Sequence, residues 1–187
     1  MLNPRLASRY AKSLLDLAIE RKSIEETLKD IKLVHATVQA NPELALVLKS
    51  PVIKGDKKEA IIEAIFKSQL TPITRGFIRL LISKGRESVL PEMLTAFIHQ
   101  YKVMNHISQV QLITATPVSE SIKESIRAKV AAALPGQTID LTTKVEPELI
   151  GGYILEMGDK RVDASIKRDL HDIKKQFLEN LYVPNIR

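Results

Sequence analysis

The chain has 187 residues, of which 44% are hydrophobic and 4% aromatic, and its formal net charge is +6. This length fits one domain or two small ones with real hydrophobic cores, so disorder is excluded as the default. Because there is no cysteine, the sequence excludes a disulfide framework, thiolate metal sites and a thiol nucleophile, and it suits a reducing compartment.

The first 105 residues predict an all-helical domain. Proline and glycine positions divide this part of the chain into segments with helical apolar spacing. The six predicted helices cover residues 4–21, 24–40, 42–49, 56–68, 72–84 and 88–104. Thr71 before Pro72 predicts a helix start, because the hydroxyl can cap the helix and proline occupies a position whose N–H has no helical partner.

The pattern changes period at residues 105–108, where β-branched, alternating sequence begins. Such alternation predicts strands at residues 109–116 and 138–145. A helix lies between them: Ser119 can cap it, and Pro135-Gly136 ends it.

A glycine turn, a tight hairpin and a helix start follow in one run near the C terminus. Gly151 and Gly152 predict a backbone turn, and Gly158-Asp159 predicts the reversal between strands at 153–157 and 160–162. Asp163 or Ser165 can cap the last helix. The apolar face of that helix comprises Ile166, Leu170, Ile173, Phe177, Leu178 and Leu181.

These elements predict an α+β chain of two domains. Residues 1–105 are expected to form an N-terminal six-helix bundle. Residues 106–187 are expected to form a small C-terminal α/β domain, in which two helices pack against a sheet around a separate core.

The net positive charge is carried entirely by the first domain. Residues 1–105 contain 17 basic and 11 acidic residues, whereas residues 106–187 contain 11 of each. This asymmetry makes a basic nucleic-acid-binding module with an α/β tail the alternative function, ahead of an enzyme of unknown type. Interleaved charges such as Lys57-Lys58-Glu59, and the absence of a base-stacking aromatic cluster, favour solvated helix faces and no nucleic-acid partner.

Membrane insertion and targeting signals are weak. No apolar run approaches the roughly 18 to 20 residues that cross a bilayer, which predicts a soluble chain without direct membrane insertion. The first 15 residues are acid-free and contain Arg5, Arg9 and Lys12, so a mitochondrial presequence has to be considered. Asp16 and Glu20 continue the same helix, which favours a folded first helix instead.

No pattern of catalytic chemistry is present. The four histidines lack the spacing of a metal site, and Gly151-Gly152 lacks the Lys-Ser or Lys-Thr of a phosphate loop. A group of acids near the C terminus could suggest a hard-cation site: Asp159, Asp163, Asp169 and Asp172. Basic residues lie among them, so turns, caps and surface pairs explain them better. The sequence predicts no catalytic residue, no cofactor and no metal.

Two helices have unusually wide apolar arcs. The arc covers about 220° of the first helix and about 200° of the fifth, whereas a helix that packs on one side needs little more than about 100°. Either these helices lie centrally in the bundle, or part of each arc is left for a partner helix. Ala7 and Ala11 slightly favour a partner, because alanine lets another backbone approach closely.

Three segments carry a resemblance to a known family. They are A-x-x-Y-A-x-x-L from Ala7, the run from Gly85 to Leu94, and G-G-x-x-x-x-x-G-D-x-x-x-D-x-S-I-x-x-x-L from Gly151. In this order they resemble the delta subunit of F-type ATP synthase, whose mitochondrial equivalent is the oligomycin-sensitivity-conferring protein. The resemblance spans nearly the whole chain.

The resemblance implies a non-catalytic connector of a bacterial enzyme, monomeric when isolated and peripheral at the cytoplasmic face of the membrane. It would hold the catalytic head against torque during proton-coupled ATP synthesis. The helical domain would bind the N-terminal helix of an alpha subunit, and the α/β domain the C-terminal region of the b subunits. In this family the first and fifth helices form the groove for the alpha helix. At matching positions, the resemblance implicates Ala7, Tyr10, Ala11 and Leu14, with Phe77, Ile78 and Leu81 as neighbours.

Overall fold

The computed structural model describes residues 4–67, 69–133 and 136–178. The chain divides into two compact units, residues 1–104 and 105–187. Over the described residues it contains eight α-helices and one four-stranded sheet, so the predicted α+β class is confirmed.

The first unit is helical. Its helices are α1 (Pro4–Glu20), α2 (Ile24–Ala40), α3 (Pro42–Lys49), α4 (Gly55–Phe66), α5 (Pro72–Ser83) and α6 (Leu90–Met104), with a 3-10 turn at Glu87–Val89. Their buried side chains form one core, to which α6 contributes Met93, Leu94 and Phe97. Gln100 of α6 donates a 2.9 Å hydrogen bond to the backbone oxygen of Ser8, which connects α6 to α1.

The start of α5 is fixed by a buried carboxylate. Thr71 caps the helix as predicted, because its hydroxyl accepts from the N–H of Thr74, and Pro72 begins the helix. Asp30 of α2 accepts 2.8 and 2.7 Å hydrogen bonds from the Thr71 N–H and hydroxyl. These bonds satisfy an oxygen of the buried Asp30 carboxylate and connect α2 to the N-terminus of α5.

The second unit is a mixed sheet with two helices. Its elements are β1 (Ile107–Thr114), α7 (Glu120–Ala133), β2 (Thr138–Val145), a 3-10 turn (Pro147–Leu149), β3 (Gly152–Met157), β4 (Lys160–Ser165) and α8 (Ile166–Leu178). The strand order is β2-β1-β3-β4, with β1 parallel to β2 and the other pairs antiparallel. Val110, Leu112 and Leu155 of the sheet pack with Val130 of α7 as the main core.

Glycine is needed at two adjacent positions, 151 and 152, for different structural reasons. Gly152 has φ +75°, and a Cβ there would lie 2.1 Å from the backbone oxygen of Ala164, so only glycine fits. A Cβ at Gly151 would lie 2.6 Å from Cδ1 of Ile166. Gly158-Asp159 makes the predicted reversal between β3 and β4.

The last helix differs from its prediction. It was expected to pack against the sheet, yet α8 has no buried residue. Its described apolar residues are exposed: Ile166, Leu170, Ile173, Phe177 and Leu178. The expectation of two helices packed on the sheet is therefore wrong for α8. Leu181 and the helix end at Pro135 lie outside the described residues.

We expect the helical unit to fold on its own, because the core of its described residues is formed by its own helices. Residues 1–104 expressed alone should be helical and unfold cooperatively. Circular dichroism and a thermal melt check this. An aggregated or non-cooperative fragment would contradict the division into two folding units.

Candidate functional site

The predicted partner-binding residues all belong to the core of the helical unit or pack against it, and one pair of them joins α1 to α5. The rings of Tyr10 and Phe77 meet edge to face, with centroids 6.4 Å apart. Tyr10 is half-buried. The other six predicted residues are buried in the core: Ala7, Ala11, Leu14, Phe77, Ile78 and Leu81. The expectation that Ala11 faces an open groove is therefore wrong, since its exposed fraction is 0%.

The wide apolar arcs explain this difference. The centre of the α1 arc is covered by the rest of the bundle, whereas its edges remain accessible: Leu17 is half-buried, and Ile19 is exposed. On α5 the edge of the arc is formed by Ile73, which is half-buried, and Leu80, which is 48% exposed. A wide arc therefore predicts burial at its centre and accessible apolar side chains at its edges.

These edges define the surface that we call the α1–α5 groove, formed by Tyr10, Leu17, Ile73, Phe77 and Leu80. Tyr10 and Leu17 are seven residues apart on one side of α1, and Ile73, Phe77 and Leu80 follow i, i+4, i+7 spacing on α5. Because each stripe includes one ring of the Tyr10–Phe77 contact, both border the same helix–helix line. Sequence reasoning did not name Leu17, Ile73 and Leu80 as candidate residues, although their positions at the arc edges could have indicated that they are accessible.

A glycine lies beside the groove in the middle of α5. Gly76 is three residues after Ile73 and four before Leu80, and a Cβ there would meet nothing within 4 Å. A mid-helix glycine costs about 1 kcal/mol relative to alanine. The fold of the described residues does not require this glycine, but it leaves the backbone open to close approach by another helix.

Ion pairs with α4 lie on the other side of Leu80 from Ile73, about 100° around α5 from Leu80. Arg79 Nε lies 2.7 Å from a Glu59 carboxylate oxygen, and the guanidinium also contacts Glu63. Hydrogen bonding to Glu63 and the nearby negative charge raise the pKa of Arg79 above its ordinary value. The described polar contacts thus cover the α4 side of α5, and the apolar edge lies on the groove side.

The second unit exposes a different apolar surface, which we call the α8 stripe. It comprises Ile166, Leu170, Ile173, Phe177 and Leu178. The helix is held at its start by polar contacts: Ser165 Oγ accepts from the Arg168 N–H at 3.2 Å, and Lys167 lies 3.3 Å from Glu148. Hydrogen bonds from Ser165 lower the pKa of Asp163. The start of α8 is therefore ordered while its stripe faces outward.

The described residues form neither a metal-binding cluster nor a membrane-spanning helix. Among them there is no group of three or more histidine or acidic residues that could hold a metal ion. Within the same part of the chain, every helix is too short or too polar to pass through a lipid bilayer.

Comparisons with a family model and with the sequences of known proteins indicate the same family. Residues 6–177 match the family model described as ATP synthase delta (OSCP) subunit. The ATP synthase subunit delta of Cytophaga hutchinsonii is 33% identical over 181 residues, which cover 97% of this chain and 98% of the relative. That of Christiangramia forsetii is 33% identical over 186 residues, which cover 100% of both chains. A chain in the cryo-EM structure of the Toxoplasma gondii mitochondrial ATP synthase hexamer has a similar fold, with a TM-score of 0.72 at 19% identity, covering 94% of this chain and 99% of that one.

Proposed function

This chain belongs to the ATP synthase delta (OSCP) subunit family, and from that premise we propose that it joins the alpha subunits of the catalytic head to the b subunits of the peripheral stalk. Family membership makes it a non-catalytic connector subunit of an F-type ATP synthase. The alternative of a nucleic-acid-binding module is not favoured.

The proposed mechanism is mechanical. Rotation of the central stalk puts torque on the head, and the head must be held still for its conformational changes to couple to ion flow. The subunit would do this at the cytoplasmic face of a bacterial membrane, as a peripheral component of the complex. Binding to two partners at once is then the whole function, and two separate binding surfaces are required.

The observation that carries this proposal is the pair of exposed apolar helical surfaces, one on each unit. In the α8 stripe the apolar side chains are exposed, and in the α1–α5 groove all but the buried Phe77 are exposed or half-buried. Large accessible apolar surface typically marks a contact with another protein. A connector needs one such surface for each of its partners.

The helical unit would be a six-helix bundle that binds the N-terminal helix of an alpha subunit in the α1–α5 groove. Tyr10, Leu17, Ile73 and Leu80 would contact the bound helix through its apolar face, as amphipathic helices bind in grooves. The buried residues Ala7, Ala11, Leu14, Phe77, Ile78 and Leu81 would support these edges from the core. Their role is therefore to position the groove.

The second unit would bind the C-terminal region of the b subunits through the α8 stripe. Phe177 is 83% exposed and Leu170 is 50% exposed. Leu170 and Phe177 lie seven residues apart, on one side of the helix. A bound helix could cover both residues together, and removal of this area from water would drive binding.

Copurification from detergent-solubilised membranes tests both the function and the surface. The parent chain should copurify with alpha, beta and b subunits. The double variant Leu170→Asp, Phe177→Asp should retain alpha and beta but lose b, because two charges in a desolvated contact each cost about 2 kcal/mol or more.

Gln176→Asp is the matched control, since it adds a negative charge at an exposed position of the same helix, about 60° around it from Ile173, the nearest residue of the stripe. It should retain all partners. Retention of b by the double variant would contradict the assignment of the α8 stripe. Absence of all three subunits from the parent preparation would contradict the connector proposal.

A further inference from the structure

Ile150 has a backbone conformation that side chains rarely adopt. It ends the 3-10 turn of residues 147–149 with φ +67° and ψ −40°, whereas the left-handed region open to L-residues has ψ between about +30° and +60°. The other described non-glycine residues with positive φ are Lys22, Lys67 and His106. Ile150 is the β-branched one among them, and for such a side chain a positive φ is a true outlier. The conformation therefore lowers the stability of the free chain.

The fold of the second unit gains little from this side chain. Ile150 is 65% exposed, whereas the preceding Leu149 is buried and packs with Ile113 and Ile154. Glycine would adopt the same backbone conformation at no steric cost, and the chain has glycine at another positive φ two residues later, at Gly152. Neither the turn nor the core of the described residues thus accounts for an isoleucine at position 150.

Ile150 lies beside the start of the α8 stripe. The Ile166 N–H donates a 3.1 Å hydrogen bond to the backbone oxygen of Gly151, and the Lys167 ammonium lies 3.3 Å from the Glu148 carboxylate. The segment that carries Ile150 is therefore held against the first residues of α8 on both sides of Ile150. Ile166 is the first residue of the stripe and is itself exposed. An exposed isoleucine of the turn thus lies next to the segment in which the stripe begins.

The α8 stripe alone is small for a stable contact. A specific interface buries about 800 Å² on each partner, from about 20 to 30 residues, and the described stripe has five. A helix that covers the stripe must therefore contact neighbouring surface as well. The turn that carries Ile150 adjoins the start of α8 and offers an apolar side chain to such a helix.

We propose that Ile150 is a further contact for the b subunits, and that one helix of their C-terminal region covers it together with the start of the α8 stripe. The inference rests on the proposed function, because it takes the stripe as the b-binding surface. In the complex, removal of the isoleucine side chain from water favours binding and offsets the backbone strain. In the free chain the strain is not offset. Isoleucine at this position therefore lowers stability and raises affinity, a combination found at other functional sites.

The test compares binding and stability in the same preparations of the full chain. The probe is a synthetic peptide with the C-terminal sequence of the b subunit of the source organism, titrated by calorimetry. Ile150→Gly should raise the melting temperature of the free chain by about 2 to 4 °C, because glycine relieves the strain. It should also weaken peptide binding about tenfold, because the apolar contact is lost. Ile150→Leu should keep most of the affinity, since it retains the apolar area.

Two matched controls separate the backbone from the side chain. His106 also has positive φ, but it precedes β1, whereas Tyr153, close to Ile150, pairs with Thr114 at the other end of that strand. His106→Gly relieves strain there and should leave the affinity at the parent's value. Ile122→Asn on α7 removes another exposed isoleucine and should also leave the affinity unchanged.

The outcomes distinguish this inference from the function on which it rests. Parent-like affinity in Ile150→Gly would overturn the inference and leave the assignment of the α8 stripe intact. A fall in the melting temperature of Ile150→Gly would also overturn it, because the fold would then account for the isoleucine. Failure of the parent chain to bind the peptide would overturn both this inference and the b-binding proposal.

Discussion

Leu80→Asp is expected to weaken binding of an alpha-subunit N-terminal peptide by about 2 kcal/mol or more, the size of an interface hot spot. Leu80 lies at the edge of the α1–α5 groove and is 48% exposed. In the free chain the new carboxylate can remain in water, so the fold should lose little stability. In the complex it would be enclosed by apolar groups, where an unpaired charge is costly. Titration calorimetry and a melt of the same preparation measure both quantities.

Two further variants distinguish an effect on the groove from an effect on the core. Gly76→Leu should stabilise the free chain by about 0.5 to 1 kcal/mol, because leucine has the higher helix propensity and the position is open. It should nevertheless weaken peptide binding, because its side chain would occupy the space for the partner. Ala11→Leu should instead lower the stability of the free chain by about 1 to 3 kcal/mol, since it overpacks a buried site.

Leu46→Asp on α3 is the matched control, because it places the same charge at another exposed leucine. Its peptide affinity should equal that of the parent. Parent-like affinity in both Leu80→Asp and Gly76→Leu would mean that the alpha helix binds elsewhere on this subunit.

Glu87→Ala is expected to lower the free energy of unfolding by about 3 to 5 kcal/mol, because it leaves a buried charge without its partner. Lys58 of α4 is only 2% exposed, and its ammonium group donates a 2.7 Å hydrogen bond to Glu87 and a 3.0 Å one to the backbone oxygen of Leu48. These bonds connect α3, α4 and the 3-10 turn before α6. Urea denaturation of the full-length parent and of each variant measures the change in the free energy of unfolding.

A second substitution tests the cause. Lys58→Met combined with Glu87→Leu should recover most of the lost stability, because apolar residues of similar volume often replace a buried ion pair without cost. Glu63→Ala is the control: it breaks an exposed pair with Arg79, whose side chain is 53% accessible, and should cost at most about 1 kcal/mol. If Glu87→Ala lowers the free energy of unfolding by no more than Glu63→Ala does, the Lys58–Glu87 pair does not stabilise the helical unit as proposed.

The family could be recognised from the sequence because the structures of its motifs are determined mainly by residues close together in the chain. The turn at Gly152, with its positive φ, and the Gly158 reversal of the hairpin can be interpreted from neighbouring residues alone. The start of α5 at Thr71-Pro72 is likewise indicated by capping within one turn, and the distant Asp30 only adds to it. Such features depend on a few consecutive residues, so the chain by itself determines them.

The tertiary structure alone decides which apolar and charged positions face solvent. The sequence shows that α1 has a wide apolar arc, but only packing within the bundle, mainly against α6, makes Ala11 buried and leaves Leu17 accessible. In the same way, nothing local distinguishes Lys58 from its exposed neighbour Lys57, because its partner Glu87 is 29 residues away in the chain. The α8 stripe has the same period as a core-facing helix. Burial depends on contacts between residues distant in sequence, and a local pattern does not contain them.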